Sequence, residues 1–187
     1  MNMKSLIRKY HLQIHIITNY ITAEVSVNAV LAVGATAIGA DSPLEVSEIT
    51  SSSDALVLNT GTPSIERYEA IRLAGITANT KNIPVVLDPV GVGASSFRKE
   101  NIVKLLSDIC FTCIRGNASE IMSLCALMGG EIVMPSSGVE DAGQGFDKNA
   151  VIALSKKLGA IIVISGETVT LVSARDDFYK EFPGGST

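Results

Sequence analysis

The residues best suited to chemistry follow a short apolar stretch near the middle of the chain. Residues 85–87 are apolar and bounded by two prolines, which is typical of a buried parallel strand. Asp88 follows at once, and Gly91 and Gly93 come shortly after it. An acid at a strand exit, with backbone that a ligand can approach closely, suits a metal–phosphate site. The alternative is that Asp88 only begins a turn, since Asp-Pro is a common turn starter.

Polar residues also follow the other predicted strands. Strand and helix alternate at least five times, which predicts a three-layer α/β/α fold with a mostly parallel central sheet and right-handed crossovers. We call the polar or glycine residues that follow the predicted strands the polar exits. They are Asn19, Gly39, Asn59 to Gly61, Asp88, Arg115 to Asn117 and Ser165 to Glu167. We expect these exits to line one edge of the sheet. Neither GxGxxG nor the P-loop pattern is present, so neither nucleotide-binding motif is supported.

The elements that must position these residues can be placed from apolar spacing, caps and breakers. Strands are predicted at 14–18, 35–38, 54–58, 84–87, 111–114, 160–164, 169–173 and 178–182, the last two as a hairpin. Helices are predicted at 23–33 after a Thr22 cap, from Pro43, at 63–82 after a Thr62 cap, and at 97–107, 118–127 and 148–158. Residues 1–12 are predicted to form a short helix or arm, and 129–147 a surface excursion. Residues 1–187 are predicted to form a single domain.

Composition narrows the class of protein. The 187 residues are 47% hydrophobic with a net charge of -4, and no basic stripe with interleaved aromatics is present. Nucleic acid is therefore not the expected partner. The longest uncharged run near the N-terminus, residues 25–40, is too short and too polar to span a bilayer. We expect a soluble, cytoplasmic protein that does not engage membranes.

The three cysteines do not suggest a metal site. Cys110 and Cys113 form a lone CxxC in a β-branched, apolar run that predicts a strand. Residues three apart on a strand face opposite sides, so they cannot bind the same metal ion. Buried free thiols, which fit a reducing compartment, are the expectation.

With these elements placed, the sequence resembles the hydroxyethylthiazole kinases of thiamine salvage, a family with the ribokinase-like fold. The resemblance follows the family's order along nearly the whole chain, and its most specific blocks are residues 85–93 and 114–121. The other matching stretches are 17–19 with Asn28, 31–35, 55–62, 138–141 and 164–167. The resemblance implies ATP-dependent phosphorylation of the hydroxyl of 4-methyl-5-(2-hydroxyethyl)thiazole.

The resemblance also implies roles for the polar exits in nucleotide and metal binding. Asp88 and Glu120 would hold or orient Mg²⁺, directly or through water, Arg115 would reach the ATP phosphates, and Ser165 would contact the nucleotide. Such an enzyme acts by positioning and charge neutralisation. Each role has a plainer alternative. Glu120 completes a capping box with Asn117, Arg115 could form a surface ion pair, and Ser165 could serve only as a turn residue.

For the alcohol substrate, the resemblance implies a pocket lined by Asn19, Ile21 and Gly39. Asn19 could equally be an ordinary residue at a strand end. Gly39 stands where the family usually carries a bulkier side chain, often methionine, so the pocket is expected to be wider or shifted. The resemblance further implies a homotrimer with sites shared between subunits.

The end of the chain departs from the family. Family members continue into a Gly-Thr-Gly-Cys-type turn that supplies the anion hole and a cysteine, so we expect these groups to lie beyond Thr187 and assign no catalytic residue within the chain. Little turnover is expected from the 187 residues alone. The alternatives are a non-catalytic remnant that binds nucleotide or thiazole, and another ribokinase-like kinase of a small alcohol.

Overall fold

A computed structural model describes residues 3–129 and 145–184, and the chain divides into two compact units, Met1–Leu87 (unit 1) and Asp88–Thr187 (unit 2). The single domain expected over residues 1–187 stays a prediction. Most of the expected surface excursion, including the matching stretch 138–141, lies outside the described residues. The fold class is confirmed as α/β with a mostly parallel central sheet.

Unit 1 is built on parallel strands. Its elements are α1 (Met3–Tyr10), β1 (Gln13–Ile17), α2 (Ala23–Val33), β2 (Thr36–Gly39), α3 (Val46–Ser51), β3 (Ala55–Asn59), α4 (Ile65–Lys81) and β4 (Val85–Asp88), whose last residue opens unit 2. The strand order is β2-β1-β3-β4. β1 pairs in parallel with both β2 and β3, placing Ile16 beside Gly39 and Ile17 beside Leu58. The carboxyl ends of these three strands therefore share one edge.

Unit 2 continues with helices and then a hairpin. Its elements are α5 (Ser96–Asp108), β5 (Cys113–Asn117), α6 (Ala118–Leu127), α7 (Lys148–Leu158), β6 (Ile161–Ser165), β7 (Thr168–Ser173) and β8 (Phe178–Pro183). The strand order is β5-β6-β7-β8. β5 and β6 are parallel with Asn117 beside Ser165, whereas β6–β7 and β7–β8 are antiparallel. The hairpin predicted from the sequence is confirmed.

Apolar alternation along the strands supplies the core of each unit. Leu56 and Leu58 of β3 are fully buried in unit 1, as are Ile114 of β5 and Ile162 of β6 in unit 2. Burying one such side chain contributes about 1.5–3 kcal/mol. Val57, Ile161 and Val163, which lie beside them in sequence, are only half-buried, and Arg115 is exposed. Successive side chains of a strand point to opposite faces of the sheet. These strands therefore anchor the polar residues that follow them.

Two predicted helix caps are wrong. The Thr22 side chain makes no cap hydrogen bond, because its backbone is not extended as an N-cap requires. Thr62 has φ +44°, a left-handed conformation, so it does not cap α4. Ser64 takes that role, its Oγ accepting from the Arg67 amide at 3.1 Å. The extended backbone of Ser64 fits the N-cap geometry.

Two further local predictions need correction. Pro43 does not lie in the first turn of a helix, because residues 42–45 form a turn in which the Glu45 amide donates to the Ser42 carbonyl, and α3 begins only at Val46. Cys110 is exposed rather than buried, since β5 begins at Cys113 and leaves Cys110 in the preceding loop.

The described cysteines are free thiols, as predicted, and Cys125 is buried. Burial raises the pKa of the Cys125 thiol to about 11, so it stays protonated near neutral pH and is a poor nucleophile. Among the residues that the structure covers, no helix combines the length and apolar character that crossing a bilayer requires.

A fully buried histidine ties together three parts of unit 1. His15 of β1 accepts at Nδ1 from the Thr50 hydroxyl (2.8 Å), and its Nε2 donates to the Ala40 carbonyl (2.9 Å). A carbonyl can only accept, so Nε2 carries the proton of a neutral ring. Burial lowers the pKa of His15, while the Ala40 carbonyl and the carboxylate of Glu45 act weakly in the opposite direction.

This burial predicts a loss of stability in acid. In the unfolded chain His15 regains its ordinary pKa of 6.5, so the unfolded state binds the proton more readily. The contribution of His15 is then complete above that value and declines as the pH falls towards the lowered folded pKa, with a limiting slope of about 1.4 kcal/mol per pH unit. Urea unfolding between about pH 7 and pH 5 should show this decline.

His11, the other histidine of the chain, is exposed and supplies the control. His15→Gln should flatten the decline in stability, and His11→Gln should leave it nearly unchanged. An identical pH dependence in all three proteins would contradict the assignment to His15.

Candidate functional site

Asp88 and Arg115 lie together at the ends of β4 and β5. The Arg115 Nη1 atom is 3.5 Å from Asp88 Oδ2, and the two side chains are 52% and 21% exposed. An ion pair this open to water contributes at most about 1 kcal/mol to stability. Its importance lies in placement, because it presents a carboxylate and a guanidinium side by side at the strand ends.

Glu120 connects this pair to the start of α6. Its Oε2 accepts from the Asn117 amide at 2.9 Å, and Asn117 Oδ1 accepts from the Glu120 amide at 2.9 Å, so the predicted capping box is confirmed. The other oxygen, Oε1, accepts from the Gly91 amide at 2.9 Å. Glu120 is thus more than a cap, since it also holds the loop that follows Asp88.

That loop is fixed at several points. Gly91 has φ +62°, which favours glycine, and directs its amide to Glu120. Arg98 Nη1 donates to the Val90 carbonyl at 2.8 Å, and the Val92 amide donates to the Pro89 carbonyl at 3.1 Å. The loop after Asp88 is therefore held in place by several hydrogen bonds.

Ser165 ends β6 beside these residues. Its Oγ donates to the Gly116 carbonyl at 3.2 Å, and its backbone lies next to Asn117. It borders a depression of about 270 Å³. The other lining residues include Ala118, Phe146, Gly166, Glu167, Thr168 and Thr170. Ala118 begins α6, whose N-terminal amides favour an anion, while Phe146 offers an apolar surface.

The two carboxylates fit a metal that arrives with a phosphorylated ligand. Mg²⁺ prefers oxygen donors and is commonly held by one or two carboxylates plus substrate phosphates and water. Asp88 and Glu120 supply such oxygens, and Glu120 is fixed by two amide donors. The parts of the chain that the structure describes contain no cluster of three or more His, Cys, Asp or Glu side chains suited to a metal. Asp88 and Glu120 alone would leave most positions around a Mg²⁺ ion to water or to the phosphates of a ligand.

In unit 1 the predicted pocket residue Asn19 is buried and orders its own loop. Its Oδ1 accepts from the Ile21 and Thr22 amides, each at 3.0 Å, and its Nδ2 donates to Asn59 Oδ1 at 3.0 Å. Asn59 Oδ1 also accepts from the Gly61 amide at 2.9 Å. A Cβ on Gly61 would lie only 2.8 Å from Asn19 Cβ, so this approach requires glycine.

The other two predicted pocket residues are open to solvent. Ile21 is 83% exposed, and Gly39 lies at the end of β2, where a Cβ added to its Cα would meet nothing within 4 Å. Both belong to the strand-end side of unit 1, since Asn19 and Ile21 follow β1 and Gly39 ends the parallel neighbour β2.

Sequence reasoning missed several residues that shape these sites. Phe146 and Thr170 line the depression beside Ser165, and no pattern marked them. In unit 1, buried Arg67 contacts the loops after β1 and β2. No pattern in the sequence marked it, because the predicted helix start at Pro63 places Arg67 beyond the first turn, whereas α4 begins at Ile65.

The capping box predicts a loss of stability that is separate from any chemistry. Asn117→Ala removes the acceptor for the Glu120 amide but keeps the carboxylate, and we expect a loss of about 1 kcal/mol in the free energy of unfolding. Ser95→Ala removes the equivalent cap of α5, where Ser95 Oγ accepts from the Arg98 amide, and serves as the matched control. Urea titration should show similar losses for both, and an unaltered midpoint in Asn117→Ala would contradict the capping role.

Comparison with known proteins gives these geometries a context. The family model described as the hydroxyethylthiazole kinase family matches residues 5–186. A hydroxyethylthiazole kinase from Glaesserella parasuis is 44% identical over 163 residues, which cover 86% of this chain and 58% of that relative. The chain thus spans about three fifths of the length of the curated relative.

Solved structures agree on the fold. The structure of a hydroxyethylthiazole kinase protein from Pyrococcus horikoshii superposes with a TM-score of 0.79 at 28% identity, covering 92% of this chain and 62% of that one. A ribokinase-like superfamily protein from Enterococcus faecalis reaches a TM-score of 0.57 at 9% identity, covers 95% of this chain and 64% of that one, and supports the fold alone. From the family match over residues 5–186, the chain belongs to the hydroxyethylthiazole kinase family.

Proposed function

We propose that the protein containing this chain transfers a phosphoryl group from ATP to the hydroxyl of 4-methyl-5-(2-hydroxyethyl)thiazole. The observation that carries the proposal is the grouping of Asp88, Arg115, Glu120 and Ser165 at the ends of β4, β5 and β6 and the start of α6. In a kinase family, such a group of opposite charges beside a depression is suited to a triphosphate.

Four residues of unit 2 are proposed to bind ATP, each in a different way. Arg115 places a permanent positive charge where phosphate oxygens would lie, and Asp88 orients that guanidinium. Glu120 fixes the loop at Gly91, and Ser165 offers a hydroxyl at the edge of the depression. When bound, Mg²⁺ supplies neutralisation of the charge on the phosphates. These groups act by positioning and electrostatics, which phosphoryl transfer chiefly requires.

The residues of unit 1 are proposed to bind the alcohol. Asn19 orders the turn after β1, so that Ile21 is presented outward as an apolar contact for the thiazole ring. Gly39 leaves open space at the end of β2. Both the ring contact and the open space suit a small, flat, mostly apolar molecule.

The proposal predicts a specific loss of phosphoryl transfer in unit 2 variants. In assays with Mg²⁺, ATP and the thiazole alcohol, Asp88→Asn and Arg115→Gln should each lower kcat/KM by about 100-fold or more. Asp88→Asn removes a carboxylate proposed to hold Mg²⁺ and to orient Arg115, and Arg115→Gln removes the positive charge proposed to face the phosphates. Product is followed by mass spectrometry of the phosphorylated alcohol. Asp108→Asn, an exposed aspartate at the end of α5, is the control and should retain full activity. All variants are made in the natural protein that contains this sequence, and absence of product from that protein without substitutions would refute the proposed function.

A different small primary alcohol is the second candidate, and Gly39 favours it. The open space at this position would accept a bulkier substrate than a pocket closed by methionine. A panel of heteroaromatic alcohols distinguishes the two, because higher kcat/KM for a larger alcohol would replace the thiazole assignment.

Gly39→Met provides the matching prediction. Because nothing lies within 4 Å of the added Cβ, we expect the fold to retain its stability. If Gly39 borders the thiazole site, the partly buried side chain should contribute about 1 kcal/mol and lower the thiazole KM roughly fivefold. A thiazole KM unaffected by this substitution would place Gly39 outside the pocket.

We also propose that the protein is a homotrimer and works in the cytoplasm. Helix α2 has no buried residue, although it is rich in apolar side chains, and Val25, Leu31 and Val33 are 70%, 51% and 42% exposed. A second copy would cover this surface.

The proposed location in the cytoplasm rests on the three free cysteines, which suit a reducing compartment. Recovery of the protein in an exported fraction would contradict that location.

The trimer predicts a response to charge on α2. Val25→Glu with Leu31→Glu should convert a trimer into smaller species by placing carboxylates in an apolar interface. Sedimentation equilibrium measures the mass directly. Val103→Glu, at an exposed position of α5, is the control and should keep the parent mass. A trimer that survives the α2 changes would exclude this helix from the interface.

A further inference from the structure

Arg67 joins the loops that follow three strands of unit 1. Its Nη1 donates to the Thr18 carbonyl at 2.7 Å and to Thr62 Oγ1 at 3.2 Å. Its Nη2 donates to Asp41 Oδ2 at 2.7 Å. The guanidinium also lies over the ring of Tyr20, 4.2 Å from the centroid. One side chain thus contacts the loops after β1, β2 and β3.

The position of Arg67 is unfavourable for the helix that carries it. It lies in the first turn of α4, at the positive end of the helix dipole, and its side chain is only 4% exposed. A buried charge is costly unless its partners compensate for the lost water. Asp41 supplies the opposite charge, and the Thr18 carbonyl and Tyr20 ring complete the surroundings. The contacts of Arg67 therefore stabilise the loops, whereas its charge is unfavourable for the helix.

The loops it joins are those that carry the proposed alcohol-binding residues. Thr18 and Tyr20 flank Asn19, and Asp41 comes two residues after Gly39. Thr62 has φ +44°, a strained conformation for a β-branched residue. A change at Arg67 would therefore remove a contact from all three loops at once.

We infer that Arg67 is a positioning residue that sets the spacing of the alcohol-binding loops, acting through Asn19 and Gly39 without touching the alcohol. The inference rests on the proposed function for its kinetic consequence. It requires arginine in particular, because a planar fork can direct one nitrogen to the loops after β1 and β3 and the other to Asp41. The single ammonium of lysine cannot reproduce that arrangement.

The test compares Arg67→Lys and Asp41→Asn with Arg72→Lys in the natural protein that contains this sequence. Arg72 lies on the same helix and pairs with Glu69 on its half-exposed side, so it is the matched control. Steady-state kinetics give kcat and the KM for each substrate. Hydrogen exchange at the Ile21 and Thr22 amides, which donate to Asn19 Oδ1, reports the order of the loop without any substrate.

We expect Arg67→Lys to raise the KM for the thiazole alcohol about tenfold or more, with the ATP KM changed less than about twofold. Asp41→Asn should have a smaller effect in the same direction, because its side chain is 47% exposed. Exchange at both amides should accelerate in these two variants and not in Arg72→Lys. Asp41→Asn leaves the buried guanidinium in place and keeps the test valid if Arg67→Lys does not fold.

Two results would overturn the inference: unchanged amide exchange in Arg67→Lys or Asp41→Asn, or equal increases in the KM for both substrates. Failure of the proposed function has a different signature. The parent protein would then give no phosphorylated thiazole alcohol, while the exchange measurement would still decide whether Arg67 orders the loops.

Discussion

Both oxygens of the Glu120 carboxylate accept backbone hydrogen bonds, one from Asn117 at the start of α6 and one from Gly91 in the loop after β4. This bridge joins the loop that follows Asp88 to the end of β5, where Arg115 meets Asp88. Without the bridge, the β4 loop would lose a fixed point. The arrangement of charge in unit 2 depends on this bridge, and so does the proposed binding of a triphosphate.

The same carboxylate explains why two roles considered for Glu120 do not exclude each other. Completing the capping box occupies one lone pair of Oε2, and the Gly91 contact occupies one of Oε1. A carboxylate has about four such sites, so it retains acceptor capacity for a metal or for a metal-bound water. The structural hydrogen bonds therefore fix the direction of the carboxylate without using all of its acceptor sites.

Much of this arrangement could be read from sequence because it is local. The central strand ending at Asp88 and the Asn117–Glu120 box depend on residues that are close in the chain, and both are observed. The caps at Thr22 and Thr62 were wrong for a related reason. In each case a threonine has the right chemistry but the wrong backbone conformation, and φ is set by the surrounding loop.

What sequence could not supply was contact between distant residues. The contact of Arg67 with the Thr18 carbonyl spans 49 positions, and His15 meets Thr50 across 35. Neither pairing leaves a periodic signal, since each arises only when helices pack against the strands and against the loops that follow them. The same holds for Phe146, which reaches the depression beside Ser165 from a different part of the chain.

The most direct test of the central claim is a double-mutant cycle for Mg·ATP binding with Asp88→Asn and Glu120→Gln, measured by titration calorimetry with Mg²⁺ and again with EDTA. If the two carboxylates serve the same ion, their effects should be coupled by about 1 kcal/mol or more with Mg²⁺, and this coupling should disappear in EDTA. Additive effects with Mg²⁺ present, or coupling that persists in EDTA, would contradict the account.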